Sequence, residues 1–148
     1  MTQTLESFLN GAKNKEFAIH TGTEIHAALQ QIVIDEPNKN IKAQEFVDII
    51  LKRPDLKPFF SKKAKTDVPI AGIVNGIFVS RRIDRLLINH DTKTIDFIDY
   101  KTDTDKTAFI TQYKHQLQEY NELLGSAYPN YKINAYILWL HDWSLERL

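Results

Sequence analysis

An α/β fold with a mixed central sheet flanked by helices is what this sequence predicts, and three observations carry it. Four runs, Val68–Ala71, Ile77–Ile88, Thr94–Lys101 and Lys132–Leu140, concentrate or alternate β-branched and aromatic residues in the manner of strands. Ile25, Leu29, Ile32 and Val33, and again Ile110, Tyr113, Leu117, Tyr120 and Leu124, recur at spacings of three and four, which makes apolar helical stripes. The second of these helices lies between the last two strands, a β-α-β arrangement expected to cross over with right-handed chirality.

Taken in order, residues 1–20 read as a helical extension or linker with Leu5, Phe8 and Leu9 as its apolar side chains, and residues 21–148 as the core of one domain. Thr21 followed three residues later by Glu24 is a capping box that opens the first helix. Asp35–Asn40 is a polar connector. A second helix runs through Phe46, Ile49 and Ile50 and stops before Pro54, and Pro58–Thr66 is expected to be a loop. Asn89–Lys93 is a hairpin turn between two apolar runs, since Asn and Asp bond their own backbone there.

The 148 residues, 43% of them hydrophobic, suffice for one packed domain. The chain has no cysteine, which excludes disulfides, cysteine zinc sites and iron–sulfur clusters, and suits a reducing, cytoplasmic setting. No run approaches the ~18 apolar residues of a membrane span, and the N-terminus, with Glu6 and no apolar stretch, is not a signal peptide. The five glycines form no phosphate-binding Gly-Lys-Ser/Thr loop, so ATP hydrolysis through that fold is excluded.

Chemistry concentrates in two runs. Ile83-Asp84-Arg85-Leu86 brings one carboxylate to a strand, and Ile95-Asp96-Phe97-Ile98-Asp99-Tyr100-Lys101 brings a second carboxylate and an ammonium. Strand alternation puts Asp99 and Lys101 on one face beside Ile95 and Phe97, and Tyr100 on the other. If the neighbouring strand sets Asp84 opposite, two hard oxygen donors can hold Mg²⁺ while the lysine orients water and offsets charge on a phosphorane, the arrangement of metal-dependent phosphodiester cleavage. Asp-x-Lys occurs three times, and context separates the copies. Asp55-Leu56-Lys57 precedes Pro58, Asp91-Thr92-Lys93 sits in the hairpin turn, and only Asp99-Tyr100-Lys101 is on a strand, where a plain strand-end ion pair is the competing reading. His26 borders the first apolar stripe, where a core or boundary role competes with that of an Mn²⁺ or Mg²⁺ ligand. Gln116 borders the second, between Tyr113 and Tyr120.

In this order, Gly22-Thr23-Glu24-Ile25-His26, Asp67-Val68-Pro69-Ile70-Ala71-Gly72, Arg82-Ile83-Asp84-Arg85-Leu86-Leu87, Ile98-Asp99-Tyr100-Lys101-Thr102, Tyr113 to Tyr120 with Gln116 between, and Ala135-Tyr136-Ile137-Leu138-Trp139 resemble the RecB-type nuclease domain of the PD-(D/E)xK superfamily. The likeness is nearest to the C-terminal nuclease domain of AddA-type helicase-nucleases and runs from about Gly22 to Leu148. It implies a restriction-endonuclease-like core in which His26, Asp84, Asp99 and the backbone carbonyl of Tyr100 bind Mg²⁺ or Mn²⁺. Lys101 is then the catalytic lysine, acting with Asp84, Asp99 and Gln116, and Gln116 with Tyr120 supports substrate and site. Asp67 stands where the family commonly has Glu, and Arg81 where it commonly has Gly.

Lys and Arg together number 19, as do Asp and Glu, so the formal charge is zero and phosphate neutralisation can supply only a weak unaided grip on DNA. Lys57, Lys62, Lys63 and Lys65 cluster in one segment, and Arg81, Arg82 and Arg85 flank Asp84, which nominates Arg82 and Arg85 as substrate contacts. The expected function is metal-dependent DNA cleavage in a double-strand-break-repair helicase-nuclease, exonucleolytic rather than site-specific. Its partners would be a DNA single strand or strand end, a helicase motor domain and a partner subunit, with no membrane. A non-catalytic DNA-binding or assembly module on the same fold, and a stand-alone restriction-type endonuclease, are the alternatives.

Overall fold

The computed structural model of the protein describes residues 24–36 and 41–148. The extension 1–20 and Thr21 of the capping box lie outside the described residues. Helix α1 covers 24–30, α2 Ile41–Leu51 and α3 Ile110–Ala127, and the strands are β1 Lys65–Val74, β2 Ile77–Asn89, β3 Thr94–Lys101, β4 Lys132–Trp139 and β5 Ser144–Arg147. They form one five-stranded sheet in the order β1-β2-β3-β4-β5. Among the described residues only β3 and β4 pair in parallel, with α3 as the crossover between them, and the other neighbours are antiparallel.

Helices cover both faces, so the sheet is buried in the middle of three layers. On one face the α3 stripe of Leu117, Tyr120 and Leu124 packs on Ile83, Leu86, Ile95, Phe97, Ile137 and Trp139. On the other, Ile25, Leu29 and Ile32 near α1, Phe46, Val47 and Ile50 of α2, and Phe59 and Phe60 pack on Ile98, Tyr100 and Leu138. Leu29, Ile32, Ile95, Phe97 and Trp139 have no exposed surface, and each such side chain contributes about 1.5–3 kcal/mol of transfer free energy. α3 ends where the Tyr128 amide bonds the Leu124 carbonyl at 2.8 Å and Pro129 blocks continuation.

Several boundaries differ from the sequence reading. β1 is longer than Val68–Ala71, because its first residues pair with β2 despite their charge. Pro58–Thr66 is not all loop: Lys57–Phe60 is a 3-10 turn whose early proline suits the helical start and whose Phe59 and Phe60 are buried. β5 is an added edge strand on β4. The Asn89–Lys93 turn forms as read, with the Asn89 Oδ1 accepting the amides of Asp91 and Thr92 at 3.0 and 3.1 Å.

One irregularity positions the chemistry. Asp67 in β1 has φ 51°, a left-handed conformation that a non-glycine strand residue adopts only under constraint. The register pairs Thr66 with Arg85 and Val68 with Ile83, so Asp67 lies across from Asp84. Strict alternation would send Ile83 and Arg85 to the same face. Instead Ile83 joins the α3 layer and Arg85 reaches into the opposite one, so the pleat turns over at Asp84.

Candidate active site

β3 lies in the middle of the sheet and presents Asp99 and Lys101 to α3. The Lys101 Nζ is 2.8 Å from the Asp99 Oδ2, donates to the Gln116 Oε1 at 3.1 Å, and stands 4.2 Å from the centre of the Tyr113 ring. Its side chain is only 15% exposed, so this three-sided setting, carboxylate, amide oxygen and aromatic face, holds the ammonium at a defined place. Gln116 is oriented in turn, since its amide nitrogen donates to the Tyr120 hydroxyl at 2.8 Å. The Tyr113 hydroxyl donates to the Asp103 carboxylate on the loop after β3.

Asp84 is buried on the next strand, one step beyond the Arg85–Ile98 pairing and therefore beside Asp99. Its Oδ2 accepts the Tyr100 backbone N–H at 2.7 Å and its Oδ1 lies 3.2 Å from the His26 Nε2. Burial and the neighbouring Asp99 carboxylate push the Asp84 carboxyl up to about 8, against the smaller opposing pull of the Tyr100 amide and Lys101. Burial lowers His26 below the usual imidazole value, a tendency that the charges of Asp99 and Asp67 partly offset. The Gln30 Nε2, one helical turn on, lies 3.0 Å from the His26 Nε2.

Among the described residues, no three His, Asp or Glu side chains form a ready-made metal cage. The donor chemistry nonetheless suits a hard divalent cation: two carboxylates and a largely neutral imidazole meet in a place where like charges repel. The Asp99 Oδ2 is buried and accepts no hydrogen bond, the Lys101 ammonium being close but out of line for one, so this oxygen retains an acceptor position. Tyr100, whose carbonyl the sequence reading added to the ligands, sits between Asp99 and Lys101 with its ring on the opposite face.

The structure thus brings His26, Asp84, Asp99, Lys101, Gln116 and Tyr120 into one neighbourhood. It does not do so for the arginines. Arg85, nominated as a substrate contact, has no exposed surface and is enclosed by Phe60, Tyr100 and backbone carbonyls on the α1 side of the sheet. Arg82 is exposed but pairs with Asp67 at 3.1 Å, and Arg81 pairs with Glu119 at 3.3 Å, so neither arginine neutralises Asp84. Asp55 bonds Arg53 at 2.7 Å, an ordinary surface pair. Tyr113, Asp103 and Gln30 were not singled out as site residues from the sequence. Spacing held a signal for two of them: Tyr113 is three residues before Gln116 on the same helical face, and Gln30 four after His26.

No protein-family model matches this chain, and no curated protein matches it. Among solved structures, it is similar to a presumptive exonuclease from Eubacterium rectale, with a TM-score of 0.51 and 14% identity over 97% of this chain. The chain spans 56% of the length of that structure. At this identity the likeness is one of fold, and it agrees with the α/β architecture of a mixed five-stranded sheet between helices.

Proposed function

We propose that this chain is a metal-dependent nuclease that hydrolyses phosphodiester bonds in DNA at a strand end or single strand. One observation carries the reading: two buried carboxylates, Asp84 and Asp99, lie beside an ammonium that Gln116 and Asp99 hold in place. A lone buried pair of carboxylates costs stability, and such arrangements concentrate where a cation or a proton transfer needs them. The fold shared with the Eubacterium rectale protein adds weight to it.

In this reading His26, Asp84, Asp99 and the Tyr100 carbonyl would hold Mg²⁺ or Mn²⁺, which when bound would polarise the scissile phosphate and acidify water. Lys101 orients the attacking water and offsets the negative charge that builds on phosphorus, a role that needs a fixed ammonium. Gln116 fixes the lysine through its oxygen, and Tyr120 fixes Gln116. Arg82, once released from Asp67, is the exposed cation nearest in sequence to meet a phosphate. The sequence resemblance to AddA-type nuclease domains supports extending this reading to work beside a helicase motor and a partner subunit, in the cytoplasm. Among the described residues no helix is long and apolar enough to cross a membrane.

A second reading has one observation in its favour. The 2.8 Å contact of Lys101 with Asp99 is also what a strand-end ion pair in a non-catalytic DNA-binding or assembly module looks like. End-labelled single- and double-stranded DNA incubated with Mg²⁺, Mn²⁺ or EDTA separates the two. The nuclease reading expects cation-dependent shortening that Asp99→Ala abolishes. Metal binding without cleavage of either substrate would favour the assembly module.

A further inference from the structure

We infer that Arg85 is a positioning residue that sets His26 against Asp84, an inference that rests on the nuclease reading of that site. The guanidinium is fully buried between the sheet and the α1 layer. Its Nη2 donates to the carbonyls of Leu29 and Ile32 at 2.6 and 2.9 Å, its Nη1 to the Phe59 carbonyl at 3.0 Å, and its Nε to the Tyr100 hydroxyl at 2.6 Å. Its carbon lies 4.0 Å from the centre of the Phe60 ring. These acceptors are uncharged, so the buried cation is an unusual expenditure of desolvation energy for structure alone.

What the bonds join explains the choice of residue. Leu29 lies in the last turn of α1 and Ile32 two residues past its end; the Leu29 carbonyl accepts only the 3.1 Å bond of the Ile32 amide from the backbone, and carbonyls at a helix C-terminus carry the negative end of the helix dipole, where a cation is favoured. Arg85 therefore fastens the end of the helix that carries His26. Through the Tyr100 hydroxyl the same guanidinium grips the residue whose backbone N–H holds the Asp84 Oδ2. Helix and strand are thereby registered on one rigid planar group, and the 3.2 Å approach of His26 to Asp84 is set by it. A lysine could supply the charge but not four bonds along fixed directions. The turnover of the pleat at Asp84 makes this possible, because it sends Arg85 toward α1 while Asp84 stays beside Asp99.

The test is a double-mutant cycle on metal affinity, read by calorimetric Mn²⁺ titration of the parent, His26→Ala, Arg85→Lys and the double variant, each first shown folded by a cooperative thermal transition. Arg85→Lys should weaken Mn²⁺ binding roughly tenfold in the parent, as loss of a group orienting a ligand does, and less than about twofold once His26 is gone. Equal losses in both backgrounds, or none, would overturn the inference, because a general packing role does not depend on His26. Should Arg85→Lys not fold, Tyr100→Phe, which removes one of the four bonds and leaves the backbone donor to Asp84, takes its place in the cycle with a smaller effect of the same sign. If the parent binds no Mn²⁺, the metal reading itself fails, and the imidazole ¹H–¹⁵N correlations of His26 decide the positioning role: signals moved toward those of a free imidazole by Arg85→Lys support it, and unmoved signals refute it.

Discussion

Replacing Asp84 with Asn should stabilise the metal-free protein, and the size of the gain follows from the site. Burial and Asp99 raise the Asp84 carboxyl from 3.8 to about 8. A group whose folded value is raised stabilises the fold fully below its unfolded value and loses that contribution as pH climbs to the folded one, here from about 4 to about 8. Roughly four units at ~1.4 kcal/mol each set a ceiling on the order of 5 kcal/mol. Relaxation around the carboxylate pair reduces this, and we expect a gain of about 1–3 kcal/mol at pH 8. Asn keeps an oxygen for the Tyr100 amide and turns a donor toward its neighbours, so no new unpaired group offsets the gain. Thermal unfolding in EDTA at pH 5, 6.5 and 8 measures it: the variant should melt roughly 3–10 °C higher at pH 8, with the gap narrowing toward pH 5. Added Mn²⁺ should raise the melting temperature of the parent alone. A gap that does not change with pH, or a variant less stable than the parent at pH 8, would refute the like-charge argument.

Asp99→Ala and Lys101→Ala separate metal binding from chemistry: the first should weaken Mn²⁺ affinity and cleavage together, whereas the second should spare affinity and cost on the order of 10² or more in rate. A Lys101→Ala protein that cleaves like the parent would reduce the lysine to an ion-pair partner. Tyr113→Phe keeps the ring over the Lys101 Nζ and should retain most activity, while Tyr113→Leu should lower kcat several-fold at little change in KM; equal losses in the two variants would show that the hydroxyl, not the ring, matters. In β1, a Cβ on Gly72 would lie 2.8 Å from the Leu123 Cδ2, so Gly72→Ala should cost about 1–3 kcal/mol in denaturant unfolding, and an unchanged midpoint would mean that α3 yields there freely.

How far the sequence discloses this site depends on whether a residue obeys local periodicity. Asp99 and Lys101 do: β3 alternates regularly, so Ile95 and Phe97 face α3 and Tyr100 faces away, as a period of two requires. α3 obeys the helical period, and Gln116 with Tyr120 follow from it. Asp84 does not. Its place beside Asp99 arises from a strand that turns over opposite a left-handed Asp67, and nothing in Thr66-Asp67-Val68 announces a positive φ. Arg85 escapes local pattern for the same reason, because an arginine next to a carboxylate looks like a phosphate contact until the carbonyls of Leu29 and Ile32, at the end of α1, are brought to it from more than fifty residues away in sequence. Ser144–Arg147 has too few apolar residues to declare a strand. It becomes one because β4 offers it an open edge.

The parallel pairing of β3 with β4 also dictates an order of events as the chain folds. β1, β2 and β3 are joined by tight turns, Val74 pairing with Ile77 and Asn89 with Thr94, and such hairpins close in microseconds. Thr94 meets Lys132 only after the chain has traversed all of α3, a closure that pays its loop entropy before any strand contact repays it. An intermediate with hairpins alone would already hold Asp84 beside Asp99, yet Lys101 would lack Gln116 and Tyr113. Refolding followed by hairpin-sensitive amide protection and by Trp139 fluorescence should therefore give two separable phases, and the ammonium is caged only in the later one.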